Sequence, residues 1–397
     1  MKNIRLCFLA LFTIATSGYV AAASNARQET ACCAQAADII SELHSIVAPG
    51  GIEIEEALRI GGIKQFVSVR GRDSNNPVLL VIHGGPGWVS SPISWWVSQG
   101  WDEYFTVIHW DQRGAGKTYT INDPDVVAPT MTRQRMDADV DEIVQWARSR
   151  FDKDRIFVLG HSWGSILGLA LAERHPEWLH AYIGVGQAID FYESERRGWR
   201  WTLNQAKAAN NSKAIEELAS LSPYAVKETR PLLEELLLQR KWLNHYGGAA
   251  YKRADAGFES AAFRLSPIHS VEDVSLIFEA QKFSMTHLLG AAMEVNFGSL
   301  NCLETPMFLF LGRHDYNVSS TLAAEWSRAL ESPYKEVVWF EHSAHEILAE
   351  EPGKVFITLV EKVLPIATDT SGFIKGSSGN ANLRCNAPRK MTRIEKR

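Results

Sequence analysis

Ser162 lies in Gly160-His161-Ser162-Trp163-Gly164, preceded by an apolar run at residues 156–159 and followed by a small-residue stretch at 165–172. Strand, sharp turn and helix in that order lift a serine hydroxyl above a sheet edge, where it can attack a carbonyl. The flanking glycines fit a turn so tight that a Cβ on either side would collide with neighbouring backbone. A serine hydroxyl is a weak nucleophile at neutral pH. It needs an imidazole to take its proton and a carboxylate to hold that imidazole.

Two later segments supply those groups. The apolar run 307–311 ends in Gly312-Arg313-His314-Asp315, and residues 336–340 end in Glu341-His342-Ser343-Ala344-His345. Ser162, Asp315 and His345 therefore occur in the chain order nucleophile, acid, base, each just beyond a strand-like run. His342 competes with His345, which abuts the following helical stretch and is the preferred base. His314 reads as structural, and His161 cannot reach its neighbour's hydroxyl productively. The developing oxyanion needs N–H donors, and losing one such donor costs about 3–4 kcal/mol of transition-state stabilisation. The Trp163 amide is one candidate. The other comes from the glycine loop His83-Gly84-Gly85-Pro86-Gly87, with Gly85 as donor and Gly84 beside it. Gly116-Lys117-Thr118 is a near miss for a phosphate-binding loop, because position 111 holds Asp where that motif needs glycine. The stretch Asp111-Gln112-Arg113-Gly114 is expected to buttress the oxyanion loop, with Arg113 ion-paired inside it.

The elements that would position these residues are legible as hydrophobic patterns. Residues 52–59 alternate apolar and acidic side chains, as in an exposed antiparallel strand, and 63–69 fit its hairpin partner. Residues 78–82 and 105–110 are continuous apolar runs, as expected of strands buried on both faces. Helical spacing at 133–150, the 156–159 strand, the helix after Ser162 and a run at 181–185 complete an alternation. Such alternation predicts an α/β fold with a mostly parallel sheet, eight-stranded, and helices on both faces. The alternation stops at 188–303, where helical stretches at 199–210, 212–221, 226–242 and 274–283 predict a helical insertion. Sheet logic then resumes with strands at 307–311 and 336–340 and helices at 320–330 and 345–364.

Domain bounds follow: 51–187 with 304–366 as the core, 188–303 as a cap, and 24–50 as an N-terminal extension. Residues 1–23 read as a secretory signal: Lys2 and Arg5, an apolar core, then Ala21-Ala22-Ala23. This predicts a secreted or periplasmic protein with no stable membrane span after signal removal. The 397-residue chain carries a formal charge of −5. Losing 1–23 removes two cations and no acids, and the tail 367–397 has seven Lys/Arg against two acids, so the body between carries −12. An acidic body argues against a nucleic-acid partner. The basic tail, rich in Gly, Ser and Asn, is expected to be disordered or to fold back on the acidic body. Cys32, Cys33, Cys302 and Cys385 follow no zinc pattern. A bridge from Cys32 or Cys33 to Cys385 would tie the two extensions together, with unpaired thiols as the alternative.

Taken together, the glycine loop 83–87, Asp111-Gln112-Arg113-Gly114, Gly160–Ser165, Gly312–Asp315 and Phe340–His345 resemble the proline iminopeptidase family of α/β-hydrolases. The resemblance spans residues 51–186 and 304–365. It implies an α/β-hydrolase fold, a serine peptidase releasing an N-terminal proline or small residue through an acyl-enzyme, and no metal or cofactor. It also implies a helical cap whose acidic side chains hold the substrate's amine. Within 188–303, Glu193, Glu195, Glu259 and Glu279 are candidates for that amine. Trp199, Trp201, Trp242, Tyr246 and Phe283 are candidates to pack a pyrrolidine ring. Against these stands the plainer reading, that helix glutamates form solvated faces and aromatics at helical spacing form core. An esterase or other acyl hydrolase with a different cap specificity is the alternative function, and a non-catalytic binding protein a third. Partners are then a small peptide or a small ester or amide.

Overall fold

The computed structural model describes residues 33, 35–229, 233–255, 257–368 and 383–385. The proposed signal segment and most of the basic tail lie outside these residues. Eight strands form one sheet in the order β1-β2-β4-β3-β5-β6-β7-β8. They are β1 (Ile52–Ile60), β2 (Ile63–Gly71), β3 (Val78–Ile82), β4 (Thr106–Trp110), β5 (Ile156–His161), β6 (Leu179–Val185), β7 (Met307–Gly312) and β8 (Lys335–Phe340). β2 runs antiparallel to both β1 and β4, and every pairing from β4 through β8 is parallel.

The hairpin of β1 and β2 closes with Ile60 opposite Ile63. Its two turn residues, Gly61 and Gly62, have φ of 55° and 83°, a region that glycine enters without steric cost. β1 half-buries alternate residues and exposes those between them, with only Ile60 at its end buried, whereas β3 and β4 are buried throughout. That difference follows from position: β1 is an edge strand, and β3 and β4 lie inside the sheet with side chains covered on both faces.

Two hydrophobic clusters occupy the opposite faces. One gathers Val78, Leu80, Ile108 and Val158 beneath Val140, Ile143 and Val144 of helix α1 (Arg133–Arg150) and Leu167 of helix α2 (Trp163–Arg174). The other gathers Leu79, Val81, Phe157, Ile183 and Phe310 beneath Val355 and Leu359. Each fully buried aliphatic side chain contributes about 1.5–3 kcal/mol, so these clusters fix the sheet and hence the loops at its rim.

Between β6 and β7 lie α3 (Phe191–Ala208), α4 (Ser212–Ala219), α5 (Leu233–His245), α6 (Gly257–Phe263) and α7 (Val271–Met293). They carry a third cluster, which includes Tyr192, Leu218, Tyr224, Leu236 and Trp242. α7 is longer than its 274–283 expectation. Ser270 caps it: its side chain accepts from Asp273 N while the Asp273 side chain accepts from the Ser270 amide. After β7 comes α8 (Ser320–Ala329). The helix expected at 345–364 is instead broken into Ile347–Glu350, Pro352–Thr358, a π turn at Leu359–Val363 and Pro365–Thr368. Pro352 and Pro365 each lack an N–H and each opens a new segment.

The cysteine expectation needs correction. Cys302 and Cys385 are bonded, and Cys33 is a free thiol. The tail returns beside the approach to β7, where Arg384 pairs with Glu304 at 2.8 Å and the Cys385 amide donates to Glu304 at 2.9 Å. Cys385 is thereby delivered to Cys302. Among the described residues no helix is long and apolar enough to cross a membrane, and no cluster of three metal-ligating side chains occurs.

Candidate active site

Ser162 directly follows β5 and caps α2 with φ 54° and ψ −115°, a strained conformation for a residue with a Cβ. Its amide donates to the Val185 carbonyl at 2.9 Å. The neighbouring glycines are required by contact. A Cβ on Gly164 would strike the Ile82 carbonyl, and one on Gly160 would strike the Gly164 carbonyl. The turn thus holds because helix and strands approach backbone to backbone.

Asp315 lies beyond the end of β7 and His345 beyond the end of β8. His345 Nδ1 donates to Asp315 Oδ2 at 2.8 Å, and both residues are buried. The other carboxylate oxygen, Oδ1, accepts from the amides of Asn317 and Val318 at 2.9 and 2.8 Å. With its partner oxygen fixed in this way, Asp315 sets both the tautomer and the orientation of His345, leaving Nε2 to accept a proton. The imidazole sits over Gly186, where an added Cβ would come within 3.0 Å of the ring. Gly186 follows Val185, the residue that anchors the Ser162 amide, so the carboxyl ends of β5, β7 and β8 gather the three groups around the end of β6.

The glycine loop lies against Ser162. A Cβ on Gly84 would be 3.1 Å from that of Ser162. The Gly84 carbonyl accepts from the Trp88 amide at 3.2 Å and from His83 Nδ1 at 2.9 Å. In a trans peptide the following N–H points opposite to that carbonyl, so the Gly85 amide is turned away from His83. Gly85, Ser162 and Trp163 all face one cavity. The Trp163 amide, in the first turn of α2, has no intrahelical acceptor.

Asp111-Gln112-Arg113-Gly114 does support this loop, but through Gln112. The Gln112 side chain donates to the His83 carbonyl at 2.8 Å and accepts from Trp163 Nε1 at 3.1 Å, joining both halves of the candidate oxyanion site. Burial holds His83 down at about 4, so it stays neutral with its proton on Nδ1. Arg113 points elsewhere. It is fully buried and pairs with Asp139 of α1 at 2.8 Å, because the chain beyond Gln112 turns toward the β1–β2 hairpin, where Arg113 also donates to the Gly61 carbonyl.

His161 has a role that sequence reasoning missed. Its Nε2 donates to the His345 carbonyl at 3.1 Å, and the two rings lie 4.9 Å apart. Burial, and then the His345 charge, push it down to about 3, so it serves as a neutral brace. His342 is exposed, Asp315 is bonded to His345 instead, and His314 stacks on Tyr251 at 4.1 Å. Two cap backbone groups also hold the site. The His345 amide donates to the Ala249 carbonyl at 2.8 Å and the Tyr316 amide to the Gly248 carbonyl at 3.0 Å.

The cavity beside Ser162 has a volume of about 250 Å³. Its walls are mostly apolar, from Ile166, Leu236, Met285, Leu289 and Val318, with Glu195, Arg240 and Asp190 as its charged members. Glu193 is not on this wall. It pairs with Arg196 and Arg197 at 3.0 and 2.8 Å in a half-exposed cluster, because its helical position faces away from the cavity. Trp199 turns into the cap, where Nε1 donates to the Leu218 carbonyl at 2.9 Å. Glu195 reaches the wall, but it is paired with Arg240 and accepts from the Tyr224 hydroxyl at 2.9 Å. Glu279 accepts from the Tyr119 hydroxyl at an exposed site.

Glu259 is buried, accepts from Trp88 Nε1 at 2.9 Å and shares a hydrogen bond with Glu346, the residue after His345. Burial raises both carboxyls, Glu346 well above the ordinary range because the Glu259 charge adds to it, while hydrogen bonds from Trp88 and Glu346 offset part of the rise at Glu259. Two carboxyls can share a hydrogen bond only when one keeps its proton, so the pair joins α6 to the base loop through a retained proton. Nothing in the sequence separates these two glutamates from their solvated neighbours.

The profile of the alpha/beta hydrolase fold family matches residues 77–352. The probable aminopeptidase YbaC of Bacillus subtilis is 27% identical over 311 residues, 78% of this chain and 95% of that protein. A proline iminopeptidase of Neisseria meningitidis serogroup A is 30% identical over 319 residues, 76% of this chain and 94% of that protein. Among solved structures, the proline iminopeptidase of Mycobacterium smegmatis superposes with a TM-score of 0.57 at 19% identity, covering 80% of this chain and all of that one.

Proposed function

The chain belongs to the proline iminopeptidase family of alpha/beta hydrolases, and from that premise we propose that it is a serine aminopeptidase that releases N-terminal proline or small residues through an acyl-enzyme. The observation that carries this reading is the 2.8 Å His345–Asp315 hydrogen bond, with His345 packed against Gly186 next to the residue that anchors the strained Ser162 turn. His345 Nε2 takes the Ser162 hydroxyl proton as Oγ attacks the carbonyl. The Gly85 and Trp163 amides hold the oxyanion. His345 then passes its proton to the leaving amine, and the C–N bond breaks. Water repeats the sequence on the acyl-enzyme, giving its proton to His345 and releasing the acid and the free serine.

The test is labelling and turnover together. A fluorophosphonate should modify Ser162, and a prolyl arylamide should be hydrolysed by the native chain and not by Ser162→Ala. Hydrolysis that survives Ser162→Ala would falsify the mechanism. A second reading, an esterase or acyl hydrolase on the same machinery, is favoured by one observation: Glu195, the proposed acid that reaches the cavity, is already paired with Arg240. Turnover of short-chain esters with no cleavage of aminoacyl arylamides decides for it.

The reading includes export. Residues 1–23 have the make-up of a cleavable signal, and the Cys302–Cys385 bond suits an oxidising compartment. A mature protein recovered from cells with Met1 still attached would overturn this part.

A further inference from the structure

Among the described residues, the cavity beside Ser162 offers no free acid to an incoming cation. Glu195 has its Oε1 on Arg240 Nη2 and its Oε2 on Arg240 Nη1 and the Tyr224 hydroxyl. Asp190 accepts from the Glu193 amide at 2.8 Å and from Asn296 Nδ2 at 2.7 Å, and its charge caps the positive end of α3. What the wall does offer is a guanidinium. Both members of the pair line the cavity, and Arg240 keeps 27% of its side chain exposed while Glu195 keeps 3%, so the cation is the more accessible of the two. Its terminal nitrogens bond Glu195 and Gln239, and among the described residues Nε has no acceptor. A guanidinium carries five N–H donors in a rigid fork suited to carboxylates.

We propose that Arg240 is a specificity-determining residue that binds a carboxylate of the substrate, with Glu195 as the buried counter-ion that aims the fork. The remaining wall, Leu236, Met285 and Leu289 among others, takes an apolar body between that carboxylate and the scissile carbonyl. The proposal rests on Ser162 as nucleophile. It narrows the substrate class to small molecules carrying an anion within the same cavity. That carboxylate can stand on the leaving group, as the C-terminus of a dipeptide, or on the acyl group, as in a mono-ester of a dicarboxylic acid.

The experiment separates these sources and does not depend on turnover. Binding to the full chain carrying Ser162→Ala is measured by calorimetry for two pairs: prolyl-alanine against prolyl-alaninamide, and monomethyl glutarate against dimethyl glutarate. A charge-assisted hydrogen bond corresponds to a preference of about tenfold or more, so one pair should favour its carboxylate by that factor. Which pair does so names the source. Arg240→Gln should reduce that preference to near unity. Arg240→Gln strands a buried carboxylate, so the double substitution Arg240→Met with Glu195→Gln, which removes both charges, provides the same readout in a chain without that defect. Equal affinity within both pairs, or a preference that survives the double substitution, overturns the proposal. Failure of Ser162 to react with a fluorophosphonate would refute the proposed mechanism while leaving this binding result intact.

Discussion

The rim of the sheet and the wall of the cap are built on opposite principles. At the rim, Ser162, Asp315 and His345 are held by backbone: the Val185 carbonyl on one, the Asn317 and Val318 amides on another, the Ala249 carbonyl on the third. Glycines make the close approach possible, and a Cβ on Gly312 would strike the Ala344 carbonyl behind the base loop. In the cap, charged side chains hold one another: Glu195 with Arg240, and Glu193 with Arg196 and Arg197. A rim fixed by peptide groups has one arrangement. A wall fixed by ion pairs can be retuned by exchanging a partner, which is what a family needs to vary specificity over unchanged chemistry.

Substitutions of similar size should therefore have very unequal effects. The largest is Asp315→Asn, which keeps the shape and reverses the hydrogen bond that sets the His345 tautomer. The acylation rate should fall by about 10⁴-fold with the fold intact, by analogy with other serine triads. Pre-steady-state release of the aryl amine checks it, and a loss under tenfold would mean that the rim does not depend on its acid.

An intermediate effect belongs to the seam between the regions. Glu259 and Glu346 hold protons in the folded chain at pH values where free carboxyls have lost them. The folded state then binds more protons than the unfolded state, so this pair makes stability fall as pH rises above the ordinary glutamate value of about 4.3. Glu346→Gln keeps a donor toward Glu259 and removes one titration. Denaturant midpoints at pH 5, 7 and 9 should decline less steeply than in the native chain. Asp111, held up to about 7 by burial, contributes a decline that both proteins share. Parallel profiles would remove the shared proton from the account.

The smallest effect is at Glu193. Its cluster is half-exposed, and such pairs are worth about 1 kcal/mol or less. Glu193→Gln should leave KM for a prolyl arylamide within about twofold, in line with that small energy. A large rise in KM would place Glu193 at the substrate after all and collapse the contrast.

The same contrast explains what could be read from the chain. Glycines at 160, 164 and 312, apolar runs and the order of Ser162, Asp315 and His345 are local signals, because backbone geometry restricts residue type at the position itself. The cap gave no such signal. Glu193, Glu195 and Glu259 look alike in sequence, yet one is held by Arg196 and Arg197, one by Arg240 and one by Trp88 and Glu346. Their meaning lies in partners as far as 45 and 171 residues away. Arg113 was misplaced for the same reason, its partner Asp139 being 26 residues off on another element. The cysteine pairing likewise depended on where the tail returns, which spacing cannot reveal.

The carbonyls of Gly248 and Ala249 each receive an amide proton from a loop that carries a proposed catalytic residue, Asp315 in one and His345 in the other. A lid that swung away as one piece would break both bonds and loosen acid and base together. Admission of substrate while the machinery stays assembled must therefore come from local yielding elsewhere in the covering helices, with the segment at 248–249 staying put. The covering layer is in this sense part of the engine mount, and grafting another in its place would require that pair of carbonyls to be rebuilt first.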